Sequence, residues 1–177
     1  MKYIFLDRDG VINEPIILNK KPYPPHSKDD LVITASAKEA IKLLQKNHYE
    51  IIVVTNQPDV ARGTTTEKSV HKINKEISDI CGIKYFKVCF HDDSDNCSCR
   101  KPKPGMLLEA SKEFNFNLKD TFIIGDRTKD IIAGQAAGCK TIFIDKEYNE
   151  VKPKKCDKIV SNLYQAVQHI LSLPGGT

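Results

Sequence analysis

The chain has 177 residues, 40% hydrophobic and 28% charged, and its 27 basic and 23 acidic side chains give a net charge of +4. That length suits one folded domain, and no apolar run reaches the roughly 20 residues of a membrane helix. There is no long basic block or aromatic–basic interleaving to make a nucleic-acid groove, and the sequence turns acidic at Asp7, too early for a signal peptide. A cytoplasmic protein without membrane or nucleic-acid partners is expected.

In chain order, the first apolar run, residues 3–6, stops at Asp7. Runs at 51–54, ending at Thr55, at 121–124, ending at Gly125-Asp126, and at 141–144, ending at Asp145, repeat the pattern, and a weaker run covers 85–89. Continuous apolar runs of this length are typical of strands buried on both faces. Segment 14–34, with Pro15, Pro22, Pro24 and Pro25, reads as a long irregular excursion, of the kind that is usually functional or disordered.

Helices are expected between the strands. Ser36 and Glu39 make a capping box before Ala40, Ile41 and Leu44. Val70, Ile73, Ile77 and Ile80 recur at helical spacing, with Gly82 as a stop. Pro104 suits the first turn of a helix carrying Leu107, Leu108 and Phe114. Residues 128–137 precede Gly138, and Ser161 opens a last helix with Leu163, Val167 and Ile170. The alternation predicts an α/β fold: one Rossmann-like domain over 1–172, with a mainly parallel sheet, helices on both faces and no large cap domain. A short tail, 173–177, follows.

Three polar clusters sit at carboxyl ends of these strands: Asp7-Arg8-Asp9-Gly10, Thr55-Asn56-Gln57 and Gly125-Asp126-Arg127. Singly, each has a bland reading as a turn or helix cap. In an open parallel sheet, however, ligands bind just outside those ends, so the clusters converge on one crevice. A carboxylate nucleophile can split a phosphoryl displacement into two steps. Carboxylates from two strands plus a backbone carbonyl make a hard oxygen site suited to Mg²⁺, which screens nucleophile from substrate. Asp9 is placed to protonate the leaving oxygen and then to activate water. Thr55 offers a hydroxyl, and Lys101 a charge, to the moving phosphoryl.

Of six cysteines, Cys89, Cys97 and Cys99 cluster with His91, while Cys81, Cys139 and Cys156 are scattered and read as ordinary thiols. The cluster points to a metal. Cys-x-His and Cys-x-Cys pairs across a short loop can close a tetrahedral site with no open position. The remaining histidines, His26, His48, His71 and His169, read as surface or core residues. Asp92, Asp93 and Asp95 form a solvated acidic loop, because the calcium-loop pattern is incomplete.

FLDRDGVIN, VVTNQPDVARG, CRKPKPGML and IIGDRTKDI together resemble the signature motifs of the haloacid dehalogenase-type phosphatases. Within that superfamily they resemble the heptose-bisphosphate 7-phosphatases, with histidinol-phosphate phosphatases as a sister family. The resemblance implies Asp7 as nucleophile, Asp9 as general acid and base, and Thr55 and Lys101 as phosphoryl-steadying groups. Arg100 and Arg127 would meet the rest of the substrate, and Arg8 and Asn56, from the same strand-end clusters, are counted with these contacts. Magnesium would be held by Asp7, the Asp9 carbonyl and Asp126. Asp130, one turn later, either supports that metal through water or caps its helix. The resemblance also makes the metal at Cys89, His91, Cys97 and Cys99 a structural zinc. The activity implied is hydrolysis of a small phosphorylated sugar, best matched by heptose 1,7-bisphosphate, by a monomer. Beside it stand hydrolysis of histidinol phosphate or another small phosphomonoester, a non-catalytic zinc-containing sugar-phosphate binding module, and a zinc-based redox switch.

Overall fold

Residues 1–174 are described by the computed structural model, so the expected tail lies outside the described residues beyond Pro174. Strands β1 (Lys2–Leu6), β4 (Tyr49–Asn56), β5 (Tyr85–Cys89), β6 (Phe122–Gly125), β7 (Lys140–Ile144) and β8 (Lys158–Val160) form one sheet in the order β5-β4-β1-β6-β7-β8. Every neighbouring pair in it is parallel. The period-2 geometry of a strand sends alternate side chains to opposite faces. Ile4, Leu6, Ile51 and Val53 therefore join one core with helices α1 (Ala37–Lys46), α2 (Glu67–Cys81) and α5 (Leu163–Ser172). Phe5, Ile52 and Val54 join a second core, against α3 (Gly105–Phe114) and α4 (Thr128–Ala137). Both faces are covered, which is why the strands read as unbroken apolar runs.

The chain runs outward from β1 through β4 to β5, then returns to β6 on the other side of β1. The carboxyl ends of β1, β4 and β6 thus flank the point where strand order reverses, where α/β sheets bind ligands. Among the described residues, no helix is long and apolar enough to cross a membrane.

Four expectations need correction. The excursion at 14–34 contains a hairpin, β2 (Ile16–Leu18) with β3 (Lys21–Tyr23), turning through Asn19 and Lys20, both with positive φ as a tight two-residue hairpin turn requires. Strand β8 was not foreseen. Ser36 makes no side-chain cap bond, because its backbone is already helical (φ −93°, ψ −10°) rather than extended. A lost cap costs about 1 kcal/mol, less than burial of Ile41 and Leu44 supplies at about 1.5–3 kcal/mol each, so α1 forms without it. The last helix is capped by Asn162, whose side chain accepts from the Gln165 amide, rather than by Ser161.

Candidate active site and cysteine cluster

Asp7 directly follows β1, and its amide donates to the Ile124 carbonyl of β6 at 2.9 Å, so the sheet fixes the root of the side chain. Asp7 Oδ1 accepts from Lys101 Nζ and from the Arg8 amide, each at 2.8 Å. Among the described residues, no donor reaches Oδ2. Lys101 is buried; its Nζ also donates to the Val54 carbonyl at 2.7 Å and lies 2.7 Å from Asp130 Oδ1. Asn56 clasps the Lys101 backbone, Nδ2 donating to its carbonyl at 2.9 Å and Oδ1 accepting from its amide at 3.1 Å.

Asp7, Asp126 and Asp130 are all buried and bring carboxylate oxygens within 4.8 Å of one another. Burial pushes the Asp7 carboxyl up to about 6, with Asp130 adding to the rise and Lys101 opposing it. Asp126 is pushed well above the ordinary carboxylate range by burial, then by Asp7 and Asp130. Burial alone would lower the Lys101 ammonium, yet Asp130 and Asp7 raise it on balance. Three acids facing one ammonium leave a negative charge excess that a divalent cation neutralises. Asp126 Oδ1 is buried without a partner, while Oδ2 accepts from the Tyr148 hydroxyl at 2.8 Å. Gly10 has a φ of +92°, and a Cβ there would lie 1.7 Å from Asp126 Oδ2, so only glycine lets the two loops meet. The donor set and the orphaned oxygen fit a hard, oxygen-ligated ion such as Mg²⁺. Asp130 does cap α4, accepting from the Arg127 amide at 3.0 Å, and it holds Lys101 as well.

Asp9 Oδ1 accepts from Asn13 Nδ2 at 3.0 Å and Oδ2 from Gln57 Nε2 at 2.8 Å. Gln57 Nε2 also donates to Thr55 Oγ1 at 2.8 Å, tying the ends of β1 and β4 together. Arg8 was expected to touch substrate, but its side chain is fully buried. It forks onto Asp9 through Nε and NH2, both at 3.1 Å, and onto Asn74 Oδ1 at 2.9 Å. Arg8 therefore orients Asp9 from below.

A cavity of about 380 Å³ opens over these groups; Asp7, Asp9, Thr55, Asn56, Arg100, Lys101 and Arg127 all line it. Asp126 is buried and does not line it. The hairpin contributes Lys21 to Pro24, and the Asn149 amide binds the Lys20 carbonyl at 3.3 Å, linking hairpin and β7–β8 connection. Sequence reasoning missed Arg62, Lys129, Tyr148 and Glu150. Arg62, Lys129 and Glu150 line the cavity, and Tyr148 holds Asp126. Arg62, inside VVTNQPDVARG, and Lys129, inside IIGDRTKDI, lay within the quoted motifs, whereas Tyr148 and Glu150 carried no local signal. Burial, then Arg127, draws the Lys129 ammonium below the ordinary lysine range.

In the cysteine cluster, Cys89 Sγ lies 3.0 Å from Cys99 Sγ and 3.7 Å from Cys97 Sγ, and Cys97 and Cys99 are 3.5 Å apart. His91 Nδ1 is 3.6 Å from Cys89 Sγ and 3.3 Å from Cys99 Sγ. Tetrahedral zinc with ordinary bonds has S–S edges of about 3.8 Å and S–N edges of about 3.6 Å, so the cluster is a slightly contracted version of such a site. Three thiolates cannot share this space without a cation. Burial raises Cys99, and Cys89 and Cys97 raise it further; Cys97 falls to about 7 because backbone and thiol hydrogen bonds outweigh its burial. The loop is pressed onto the start of α3: the Gly105 amide donates to the Ser98 carbonyl at 3.1 Å, and a Cβ on Gly105 would lie 2.2 Å from that oxygen. Cys81 and Cys139 are buried apart from this cluster.

A HAD-hydrolase-like family model matches residues 98–166. The chain is 31% identical over 174 residues to a D-glycero-alpha-D-manno-heptose-1,7-bisphosphate 7-phosphatase from Photorhabdus laumondii, covering 92% of each chain. It is 34% identical over 148 residues to the beta-anomer enzyme of Helicobacter pylori, covering 78% of this chain and 80% of that one. Its fold matches the crystal structure of D,D-heptose 1,7-bisphosphate phosphatase from B. bronchiseptica, complexed with magnesium and phosphate. The TM-score is 0.83 at 25% identity, over 97% of this chain and 98% of that chain.

Proposed function

The chain belongs to the heptose-1,7-bisphosphate 7-phosphatase family of haloacid dehalogenase-type phosphomonoesterases, and from that premise we propose that it is a cytoplasmic, magnesium-dependent enzyme removing the 7-phosphate of a heptose 1,7-bisphosphate through a phosphorylated Asp7. The supporting observation is Asp7 itself. One of its oxygens is fixed by Lys101 and the other has no donor among the described residues, and Asp7 lines a cavity whose wall includes Arg100 and Arg127.

In this reading Asp7 Oδ2 attacks phosphorus, the phosphorus–oxygen bond to the sugar breaks, and Asp9 gives the leaving oxygen its proton. Asp9 then takes a proton from water as the water oxygen attacks phosphorus. The bond to Asp7 breaks, and inorganic phosphate leaves with the carboxylate regenerated. Thr55 and Lys101 donate to the moving phosphoryl, while Asn56, Arg100 and Arg127 orient the rest of the substrate. Mg²⁺, held by Asp7, Asp126 and the Asp9 carbonyl, would supply the charge that lets anion meet anion. Zinc at Cys89, His91, Cys97 and Cys99 would be structural, bracing the loop that continues into Arg100 and Lys101.

Phosphate release from both anomers of heptose 1,7-bisphosphate and from histidinol phosphate, with and without Mg²⁺, tests the proposal. One phosphate per bisphosphate should appear, leaving the 1-phosphate, with histidinol phosphate a far poorer substrate. A preference for histidinol phosphate would replace the substrate assignment. Absence of magnesium-dependent turnover on any phosphoester would remove the catalytic reading altogether.

A further inference from the structure

The cavity wall carries more cations than the chemistry above uses, and they differ in how they are partnered. Arg62 is gripped by Asp92 through bonds of 2.8 and 2.7 Å, with Asp59 at 3.4 Å. Arg100 donates to Asp93 at 2.7 Å. Arg127 is held by Glu150 through both Nε and NH2. Lys101 is shared by Asp7 and Asp130. Lys129 lines the same cavity from the first turn of α4, partly buried, and among the described residues it has no carboxylate within 4.0 Å and no hydrogen bond. Lys21, on the hairpin, likewise has no partner among the described residues but is exposed to solvent.

A partly buried ammonium with no carboxylate in contact is costly, and a ligand anion relieves that cost. The substrate class proposed above carries two phosphates. Lys101 and Thr55 stand at Asp7, where the reacting phosphate must sit. At Arg62, Arg100 or Arg127 a second phosphate would meet a guanidinium whose charge a carboxylate already balances. At Lys129 it meets no such partner among the described residues, and the amino end of α4 adds its own positive potential. We propose that Lys129 anchors the non-reacting phosphate and so selects sugar bisphosphates over monophosphates. The inference rests on the proposed function and sharpens it.

The test compares kcat and KM for heptose 1,7-bisphosphate and heptose 7-phosphate in the wild type, K129M and K129R. K129M should raise KM for the bisphosphate about 10- to 100-fold, the range for losing a charge-assisted hydrogen bond, with kcat little changed. KM for the 7-phosphate should stay near wild type, and K129R should recover most of the loss. Thermal unfolding checks that both variants fold. Equal losses on the two substrates would put Lys129 on the reacting phosphate instead, and no loss on either would remove it from recognition; both outcomes overturn the proposal. If the wild type hydrolyses a different sugar bisphosphate, the heptose assignment fails by itself. The same ratio, measured on that bisphosphate and its monophosphate, then decides Lys129. A wild type that accepts only monophosphates removes both proposals.

Discussion

In magnesium-free buffer the fold should weaken as pH rises, and Mg²⁺ should restore what is lost. Asp7 is raised from 3.8 to about 6 in the folded protein. A carboxyl raised in this way binds its proton more tightly folded than unfolded. Its contribution is therefore full below the unfolded value and is lost as pH climbs through about 6. That rise corresponds to ~3 kcal/mol. Asp126, raised by its burial first, acts in the same direction. In a chain of this length 1 kcal/mol moves Tm by about 2–4 °C, so the metal-free protein should lose about 6–12 °C between pH ~4 and pH ~7. Mg²⁺ at about a hundred times its Kd returns ~2.7 kcal/mol, and should do so fully at pH ~8 but only weakly at pH ~5, where protons occupy the same oxygens. Thermal unfolding of protein dialysed without chelator, so that zinc stays bound, reads this directly. Asp126→Asn should flatten the pH dependence. A magnesium-induced shift of equal size at pH ~5 and pH ~8 would contradict the competition between proton and metal at these carboxylates.

Three further outcomes follow from the same geometry. Asp9→Asn should slow turnover by about 10²–10⁴-fold, and a substrate with an activated leaving group should recover the first step only; equal slowing of that step on both substrates would remove Asp9 as the acid. Tyr148→Phe frees Asp126 Oδ2 and should weaken Mg²⁺ binding about 10-fold, as loss of a ligand-orienting hydrogen bond does; unchanged affinity by calorimetry would show that Asp126 is oriented without it. Cys97→Ser should lower zinc content and reduce activity without abolishing it, since the Asp7 and Asp126 carboxylates follow β1 and β6, away from the cysteine loop. Fully active native protein without zinc, by metal analysis, would overturn the zinc site.

The strand ends were legible because burial on both faces writes strands as continuous apolar runs, and Asp7, Thr55 and Asp126 each interrupt one. The cysteine cluster was legible because its four residues are close in sequence. Arg8 stands between two cavity-lining carboxylates in the turn after β1, and its buried side chain leaves the cavity to hold Asp9, which no local pattern announces. Ser36 and Glu39 spelled a capping box, but a cap needs extended backbone, which packing of α1 did not leave there. The hairpin at Ile16–Tyr23 is three residues a side and carries a proline, too short for a period, and it is tied down by Asn149, far along the chain. Pairs such as Arg62–Asp92 and Arg127–Glu150 join distant segments, so no local pattern announces them.

The central claim is that Asp7 attacks the phosphate of a heptose bisphosphate. Asp7→Asn preserves side-chain size while removing the attacking anion and one of the two carboxylates that hold Lys101. With heptose 1,7-bisphosphate and Mg²⁺, phosphate release by the folded variant should fall at least about 10³-fold below wild type. Release within about tenfold of wild type would contradict nucleophilic attack by Asp7.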